Sequence, residues 1–258
     1  MKKQINIKNL TVSYDRKPVI WDLDFSIPRQ SCVGIIGPNG AGKTTLVKTM
    51  IGLLEPLSGE IDFFGKDNVE MKGKIGYVPQ RKSIDWDFPI TVFEVVQMGL
   101  YSTLGLFKRP SRREKERVLE VLKSLKMDQF ADCHIGDLSG GQQQRLFVAR
   151  ALLQDADVFF FDEPFVCIDK TTEQLIIDIF KQLVSEGKTL FVVHHDLNTV
   201  KNYFDTVVML NTRLIAAGPV EKVYTMENLT KTFGQGGLIF EEALNLTSKS
   251  QEGLKYNE

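Results

Sequence analysis

The residues best suited to bind a charged ligand form a short glycine-rich stretch, GPNGAGKT, from Gly37 to Thr44. It fits the phosphate-loop pattern G-x-x-x-x-G-K-[ST], in which glycines let backbone N–H groups surround phosphates at a helix N-terminus. Lys43 is spaced to reach the outer phosphates, and the Thr44 hydroxyl can ligate Mg²⁺. The apolar run SCVGIIG before it and the helical pattern KTTLVKTMIGLL after it supply the strand, loop and helix order that this motif needs. The candidate phosphate-binding residues are Gly37, Pro38, Asn39, Gly40, Ala41, Gly42, Lys43, Thr44 and Thr45.

A second candidate group is the acidic pair that ends the apolar run VFFFDEP. Asp162 is placed to hold Mg²⁺ through water, and Glu163 to orient or deprotonate an attacking water. An acidic pair in this position can also serve only to solvate the end of a buried strand. Because a phosphate loop lies upstream, we expect Asp162, Glu163 and Thr44 to form a Mg²⁺-nucleotide site that hydrolyses its ligand.

The stretch LSGGQQQRLFVARAL predicts a helix whose N-terminus can bind a second anion. Ser139 can cap this helix, with Gln142 three residues later as its capping-box partner. Gly140 and Gly141 leave backbone N–H groups uncovered for a phosphate. One chain therefore carries two candidate phosphate-binding helix ends.

Composition and charge limit the possible classes of function. The chain has 258 residues, 43% of them hydrophobic, and a formal net charge of -1 from 32 basic and 33 acidic side chains. No global field attracts nucleic acid or anionic lipid, so no nucleic-acid partner is expected. The N-terminus lacks a signal-peptide core and no apolar run reaches the ~20 residues of a spanning helix, which predicts a soluble chain. The widely spaced Cys32, Cys133 and Cys167 favour reduced, buried thiols over disulfides.

Two kinds of β pattern and one helical segment must position these residues. In residues 4–25, apolar and polar residues alternate on either side of a turn-like DRKP, which predicts two antiparallel strands at the start of the chain. Later in the chain, helical patterns separate the strand patterns ADVFFFDEP, KTLFVVHHD and FDTVVMLN, as is typical of a mostly parallel sheet. From about 86 to 155 the pattern is helical, with a capping box at Thr91 and Glu94. One helix face there carries Val118, Val121, Leu122 and Leu125.

The predicted fold class is α/β: a phosphate-loop nucleoside-triphosphatase core with a mostly parallel sheet, an N-terminal antiparallel β subdomain and an inserted α-helical subdomain. We expect a single domain over residues 1–235, with the helical insertion at about 86–155. The tail, residues 236–258, gives no clear pattern.

The order of these motifs resembles that of the ATP-binding cassette (ABC) transporter family. The signature LSGGQ of that family matches Leu138 to Gln142 without a departure, and the resemblance covers roughly residues 4–225. It implies that two cassettes pack head to tail and that the signature of one closes on the γ-phosphate of ATP held by the other. Because this chain carries one phosphate loop and one signature, we expect a homodimer with two sites.

The resemblance also assigns roles to residues outside these motifs. It implies that Tyr14 stacks on adenine, Gln80 senses Mg²⁺ and water, Asp169 lies in the loop that crosses the dimer, and His195 contacts the γ-phosphate. Two alternatives stay open, since Tyr14 could face the core and Gln80 could be a solvated loop residue. In VVHHD, His194 is expected to be structural, and the pair lacks a third ligand for a metal site.

The segment after Gln80 indicates a substrate class, again by resemblance. YVPQRKSIDWDFPITVFEVVQMG is similar to the cassettes of manganese, zinc or iron importers, in which a DWDFP-like string follows this glutamine. Its aromatics would line the groove that receives a helix of a multi-span membrane permease. Alternatively, Trp86 and Phe93 pack the helical subdomain. The resemblance implies a peripheral ATPase at the cytoplasmic face of the membrane, while a separate protein outside the membrane binds the metal.

Rival functions and one departure from the family pattern remain. The same ATPase could serve a vitamin complex or an iron chelate, and a soluble cassette could act on ribosomes or DNA, although such proteins usually carry two cassettes or a coiled-coil insertion. In PFVCIDK, Cys167 stands two residues before Asp169, where many family members have glycine or alanine. Because the resemblance places this loop beside the two-fold axis, we expect Cys167 to lie near its symmetry mate when ATP closes the dimer.

Overall fold

Two β-sheets and a set of helices make up the described chain. The structure is a computed structural model that describes residues 4–14, 17–105 and 108–234; the tail 236–258 lies outside the described residues. The strands are β1 (Gln4–Tyr14), β2 (Lys17–Pro28), β3 (Cys32–Ile36), β4 (Ser58–Phe63), β5 (Ile75–Val78), β6 (Val158–Asp162), β7 (Thr189–Val193), β8 (Thr206–Asn211) and β9 (Arg213–Pro219). The helices are α1 (Lys43–Met50), α2 (Val92–Gln97), α3 (Tyr101–Leu104), α4 (Arg112–Ser124), α5 (Gly140–Leu152), α6 (Lys170–Ser185), α7 (Val200–Tyr203), α8 (Val220–Val223) and α9 (Met226–Phe233).

The larger sheet has the strand order β5-β6-β7-β3-β8-β9 and is parallel except for the β8–β9 pair. Strands β3, β6 and β7 read CVGII, VFFFD and TLFVV, and every residue in them is buried. Continuous apolar runs of this kind are typical of parallel strands that are covered on both faces. The predicted mostly parallel sheet is confirmed.

The smaller sheet is antiparallel, in the order β2-β1-β4. In β1 the alternating residues Ile5 and Ile7, and then Leu10 and Val12, are buried. The predicted antiparallel opening is therefore confirmed. The sequence patterns did not predict β4, β5 or β9, which are short or only partly buried.

The two faces of the parallel sheet belong to two different cores, because successive side chains of a strand point to opposite faces. Phe159 and Phe161 pack in the core on the helical side, where the Phe161 ring lies 4.4 Å from that of Phe180. Phe160 packs in the core shared with the antiparallel sheet and stacks on Phe191 at 4.9 Å. One strand, β6, thus joins both layers.

The segment between β5 and β6 holds α2, α3, α4 and α5. The capping box of α2 at Thr91 and Glu94 is present as predicted. Along α4 and its end, Val118, Leu122 and Leu125 are buried and Val121 is half-buried, which confirms the predicted face. These helices lie within the range of the predicted insertion, whose extent as a subdomain stays a prediction.

Candidate nucleotide site

The phosphate loop connects β3 to α1, so its backbone N–H groups gather at a helix N-terminus. Gly42 is the N-cap of α1 with φ of 96°, a left-handed conformation that glycine adopts without strain. A Cβ at Gly37 would collide with the Leu210 carbonyl oxygen, so only glycine fits there. The Lys43 ammonium donates to the carbonyl oxygens of Gly37 at 2.8 Å and Pro38 at 3.0 Å. These two hydrogen bonds hold the Lys43 side chain against the phosphate loop.

The loop surrounds a small cleft of about 200 Å³. Its lining is Val19, Asn39, Gly40, Ala41, Gly42, Lys43, Thr44, Thr45 and Glu163. Burial lowers the pKa of Lys43, while the nearby carboxylates of Glu163 and Asp162 act in the opposite direction. The predicted loop residues from Asn39 to Thr45 and the predicted base therefore share one cavity. Val19, at the start of β2, was not predicted from the sequence.

Asp162 and Glu163 follow directly at the end of β6, beside the phosphate loop. Thr44 Oγ1 donates to Asp162 Oδ1 at 3.4 Å. Burial raises the pKa of Asp162 to about 6, against the lowering effect of the Thr44 hydrogen bond. Glu163 adopts φ of 55°, an uncommon left-handed conformation for a residue with a side chain. Strain of this kind concentrates at functional sites, since it aims a side chain that regular structure would point elsewhere.

A larger cleft of about 710 Å³ adjoins the first, since both contain Asn39 and Glu163. Gln80, half-buried after β5, and the exposed His195 after β7 line it together with Glu163. The fold thus brings together three predicted residues that lie far apart in sequence. The same lining includes Arg81, Lys82, Gln144 and Cys167, which sequence reasoning did not assign to the site.

The two adjacent histidines differ as expected. His194 is 3% exposed, its Nε2 lies 2.7 Å from Thr199 Oγ1, and its ring packs edge-on against Phe165 and Phe204. Burial lowers the pKa of His194 to about 4, so its imidazole is neutral at physiological pH. These contacts give His194 a structural place and leave His195 facing the cleft.

The signature lies at the start of α5. Ser139 caps the helix by accepting from Gln142 N, and Gln142 Oε1 accepts from Ser139 N at 2.7 Å, so the predicted capping box is present. Gly140 and Gly141 form the first turn. The phosphate-loop cleft contains none of these four residues among its lining.

Asp169 is the N-cap of α6 and lies next to the signature. Its carboxylate caps α6 by accepting from Thr172 N at 2.9 Å and Thr172 Oγ1 at 2.8 Å, and these bonds lower the pKa of Asp169. A Cβ at Gly141 would lie 3.3 Å from Asp169 Oδ2. The loop residue and the signature of one chain are therefore neighbours.

One prediction about a side chain is wrong, and one open alternative is excluded. Cys167 was expected to be a small buried residue, but it is exposed, and its backbone has φ of 57°. A left-handed position explains why glycine suits it. Tyr14 is 46% exposed at the end of β1, so the alternative that it faces the core is wrong. Its stacking on adenine stays a prediction, as does the proximity of Cys167 to a symmetry mate.

Comparison with known proteins agrees with this geometry. The family model of the ABC transporter matches residues 20–166. The chain belongs to the ABC transporter family. It is therefore an ATP-binding cassette with ATPase machinery, and its fold and motif order are those that the sequence resemblance implied.

Similar cassettes include two curated relatives of nearly the same length. The manganese transport system ATP-binding protein MntB of Bacillus subtilis is 49% identical over 92% of this chain and 94% of its own. The zinc transport system ATP-binding protein TroB of Treponema pallidum is 51% identical over 89% and 86%.

Solved structures of cassettes are also similar. An inward-facing metal-chelate type ABC transporter matches with a TM-score of 0.78 and 26% identity over 90% of this chain and 89% of that one. The ADP conformation of the cassette MJ1267 has a TM-score of 0.70 and 26% identity over 85% and 93%. Among the described residues of the present chain, no helix has the length and apolar character needed to cross a membrane.

Proposed function

We propose that this chain is the ATP-hydrolysing subunit that energises an importer for a divalent transition metal, manganese or zinc before iron. The observation that carries the proposal is the near full-length similarity, at about half identity, to cassettes of a manganese and a zinc transport system. The DWDFP string after Gln80, which the sequence resemblance links to importers of these metals, is consistent with it. The metal itself is the cargo of the transporter and is not bound by this chain.

Mg²⁺ with ATP fits the residues at the end of β6. Thr44 and Asp162 offer oxygen ligands that are already within 3.4 Å of each other, and Gln80 supplies an amide oxygen in the adjoining cleft. Burial raises the pKa of Asp162 to about 6, and a bound cation would lower it again by favouring the ionised form. When bound, the ion would neutralise charge on the phosphates. In our proposal Thr44 and Asp162 hold it, and Gln80 senses it.

Hydrolysis then depends on side chains that converge from three strand ends. Lys43 and the loop N–H groups hold the phosphates, Glu163 takes a proton from the attacking water, and His195 contacts the γ-phosphate. The shared lining of the two clefts supports this division of roles, because Glu163 belongs to both. Tyr14 is assigned to the adenine ring.

A homodimer completes the site in this proposal. The signature does not line the phosphate-loop cleft of its own chain, which supports the view that it serves the ATP of a second copy. Ser139, Gly140, Gly141 and Gln142 would close on that ATP, and Asp169 would lie in the loop that crosses the dimer. ATP would join the subunits, and hydrolysis would release them.

The membrane partner would dock on the segment that follows Gln80. Phe88, Met98 and Tyr101 are exposed there, at 55%, 38% and 39%. Trp86 is half-buried and packs against Phe147 with ring centroids 5.6 Å apart, so it supports the groove rather than forming its outer surface. We place the chain at the cytoplasmic face, bound to a multi-span permease, with a metal-binding protein on the other side.

The test is reconstitution with the permease that co-purifies with this chain. In proteoliposomes, ATP hydrolysis should rise several-fold when the metal-binding protein is added with Mn²⁺ or Zn²⁺, and Glu163→Gln in this chain should abolish the rise. Stimulation by a vitamin complex or an iron chelate instead would reassign the substrate. Failure to co-purify with any membrane protein would contradict the transport role itself.

A further inference from the structure

The side chain that follows Gln80 lies against the signature. A Cβ added at Gly140 would collide with the guanidinium of Arg81 and would come within 3.3 Å of the Cys167 carbonyl oxygen. The Arg81 side chain is exposed, while its carbonyl oxygen accepts from Trp86 Nε1 at 3.1 Å and so fixes the local backbone. A permanently charged group is therefore held at the first residue of α5.

The electrostatics of this position are unfavourable without a ligand. The N-terminus of a helix carries a partial positive charge, so a guanidinium there is repelled rather than attracted. The first turn of α5 contains no acidic residue, and none of the ion pairs between described side chains includes Arg81. The carboxylate of Asp169 lies beside Gly141 and is engaged in capping α6 through Thr172, and that of Glu163 lines the same cleft as Arg81 without an ion pair to it. An anion would relieve this concentration of positive charge.

A second observation, independent of the helix end, also indicates a missing partner. Gln144 lies one helical turn after Gly140, on the same face of α5, and lines the same 710 Å³ cleft as Arg81. The residue is 6% exposed, and its side-chain Nε2 has no hydrogen-bond partner. A buried amide without a partner costs free energy, which a ligand that reaches it through the cleft would recover.

We propose that Arg81 extends the phosphate site of the signature, donating to phosphate oxygens of the ATP that a second copy of this chain presents. The guanidinium suits this role because its planar set of N–H donors matches two oxygens of one phosphate. This inference rests on the proposed homodimer. In this inference Arg81 is a further phosphate donor beside the backbone N–H groups of Gly140 and Gly141.

The first experiment measures dimer formation against ATP concentration in the Glu163→Gln background, by analytical ultracentrifugation. Adding Arg81→Ala should raise the ATP concentration for half-maximal dimer at least about tenfold, as expected for loss of a charge-assisted hydrogen bond. Arg81→Lys should recover part of that loss. Lys82→Ala removes the same charge one residue away and serves as the matched control.

The outcomes separate this inference from the proposed function. If the Glu163→Gln parent forms no ATP-dependent dimer, the dimer proposal fails. If the parent dimerises and Arg81→Ala matches it, the dimer stands and the role of Arg81 is wrong. An equal loss in Lys82→Ala would also overturn it, because general charge attraction would then be the cause.

A mixing experiment shows on which nucleotide Arg81 acts. Lys43→Ala prevents a subunit from holding ATP. In a dimer of this variant with the parent, only the parent subunit therefore holds ATP. The signature that closes on this ATP belongs to the Lys43→Ala subunit. In a dimer of Lys43→Ala with Arg81→Ala, the Arg81→Ala subunit holds the ATP and the Lys43→Ala subunit still carries Arg81. The occupied site is therefore unchanged if Arg81 acts on the partner's ATP. The two mixtures should then form differently tagged dimers equally well. A weaker second mixture would place Arg81 on its own nucleotide and overturn the inference.

Discussion

The two candidate phosphate-binding ends of this chain, the phosphate loop before α1 and the signature at the start of α5, are built differently. The phosphate loop lies at the end of a buried parallel strand, and Lys43 is bonded to two loop carbonyls. The signature starts a helix, and beside it the guanidinium of Arg81 takes part in none of the ion pairs between described side chains, while the Nε2 of Gln144 has no hydrogen-bond partner. One end is preorganised within the chain, whereas the other is left open.

This difference fits the proposed homodimer, in which each cassette binds ATP with its own phosphate loop and offers its signature to the ATP of the second copy. Backbone donors that are fixed by β3 and α1 hold phosphates without reorganisation. The signature residues do not line the phosphate-loop cleft of their own chain. Variants that remove chemistry from the first end should therefore act within one subunit, while variants at the second end should act through association.

The largest expected effect comes from Glu163→Gln at the preorganised end. Loss of the general base should lower ATP turnover by about 10²–10⁴-fold while ATP binding remains, because the phosphate loop is untouched. Phosphate release and binding of a fluorescent ATP analogue measure the two properties. Turnover within a few fold of the parent would show that another group activates the water.

Asp162→Asn should stabilise the protein that it inactivates. Burial raises the pKa of Asp162 from 3.8 to about 6, so the folded state favours the protonated form, and stability falls as the pH rises through this range. Removing the ionisable group should raise the free energy of unfolding at pH 8 by on the order of 3 kcal/mol, without nucleotide or Mg²⁺, and by little below pH 4. Urea unfolding at both pH values checks this. A less stable variant at pH 8 would contradict the assigned cause.

His194 provides the opposite slope in the same pH range. Its pKa is lowered from 6.5 to about 4, so the stability that its neutral form contributes is present above pH 6.5 and is lost as the pH falls towards 4. In the parent the two slopes oppose each other. In Asp162→Asn, stability should rise more steeply with pH between 4 and 6.5, and an unchanged slope would show that other groups dominate.

Variants of Trp86 and Phe88, in the segment that follows Gln80, distinguish a packing role from a docking role. Trp86→Ala should lower the free energy of unfolding by roughly 1–3 kcal/mol, because it loses contact with Phe147 and a hydrogen bond to Arg81 O. Phe88→Ala, at an exposed position, should change stability by no more than about 0.5 kcal/mol but uncouple metal transport from ATPase activity. Thermal unfolding and transport in proteoliposomes give the two readouts. If Phe88→Ala is the less stable variant, the assignment is reversed.

The smallest expected effect is at Cys167, between the two ends. The left-handed backbone at this position destabilises the folded state by about 1 kcal/mol or more for a residue with a side chain. Glycine avoids this strain, but part of the gain is lost because glycine has a higher conformational entropy in the unfolded chain. Cys167→Gly should therefore be more stable than Cys167→Ala, by up to about 1 kcal/mol, since alanine keeps the strain and removes only the thiol. Equal stability of the two variants in chemical denaturation would mean that the strain is relieved elsewhere.

Much of this protein was determined by its sequence alone, because its motifs are local. The phosphate loop, the acidic pair after a buried run, and the boxes at Thr91 and Ser139 each lie within eight consecutive residues, and each follows from backbone geometry at a strand or helix end. Apolar runs such as VFFFD likewise predict buried parallel strands.

Only the tertiary structure decided which distant residues meet. Gln80, Glu163 and His195 share a cleft because β5, β6 and β7 are neighbours in the parallel sheet and end at the same edge. The placement of Arg81 on Gly140 and the left-handed backbone of Cys167 depend on how the loops after β5 and β6 pack against α5. Such contacts join residues separated by tens of positions. A local sequence pattern cannot predict these contacts, because they depend on the burial of apolar side chains and the pairing of strands across the whole sheet.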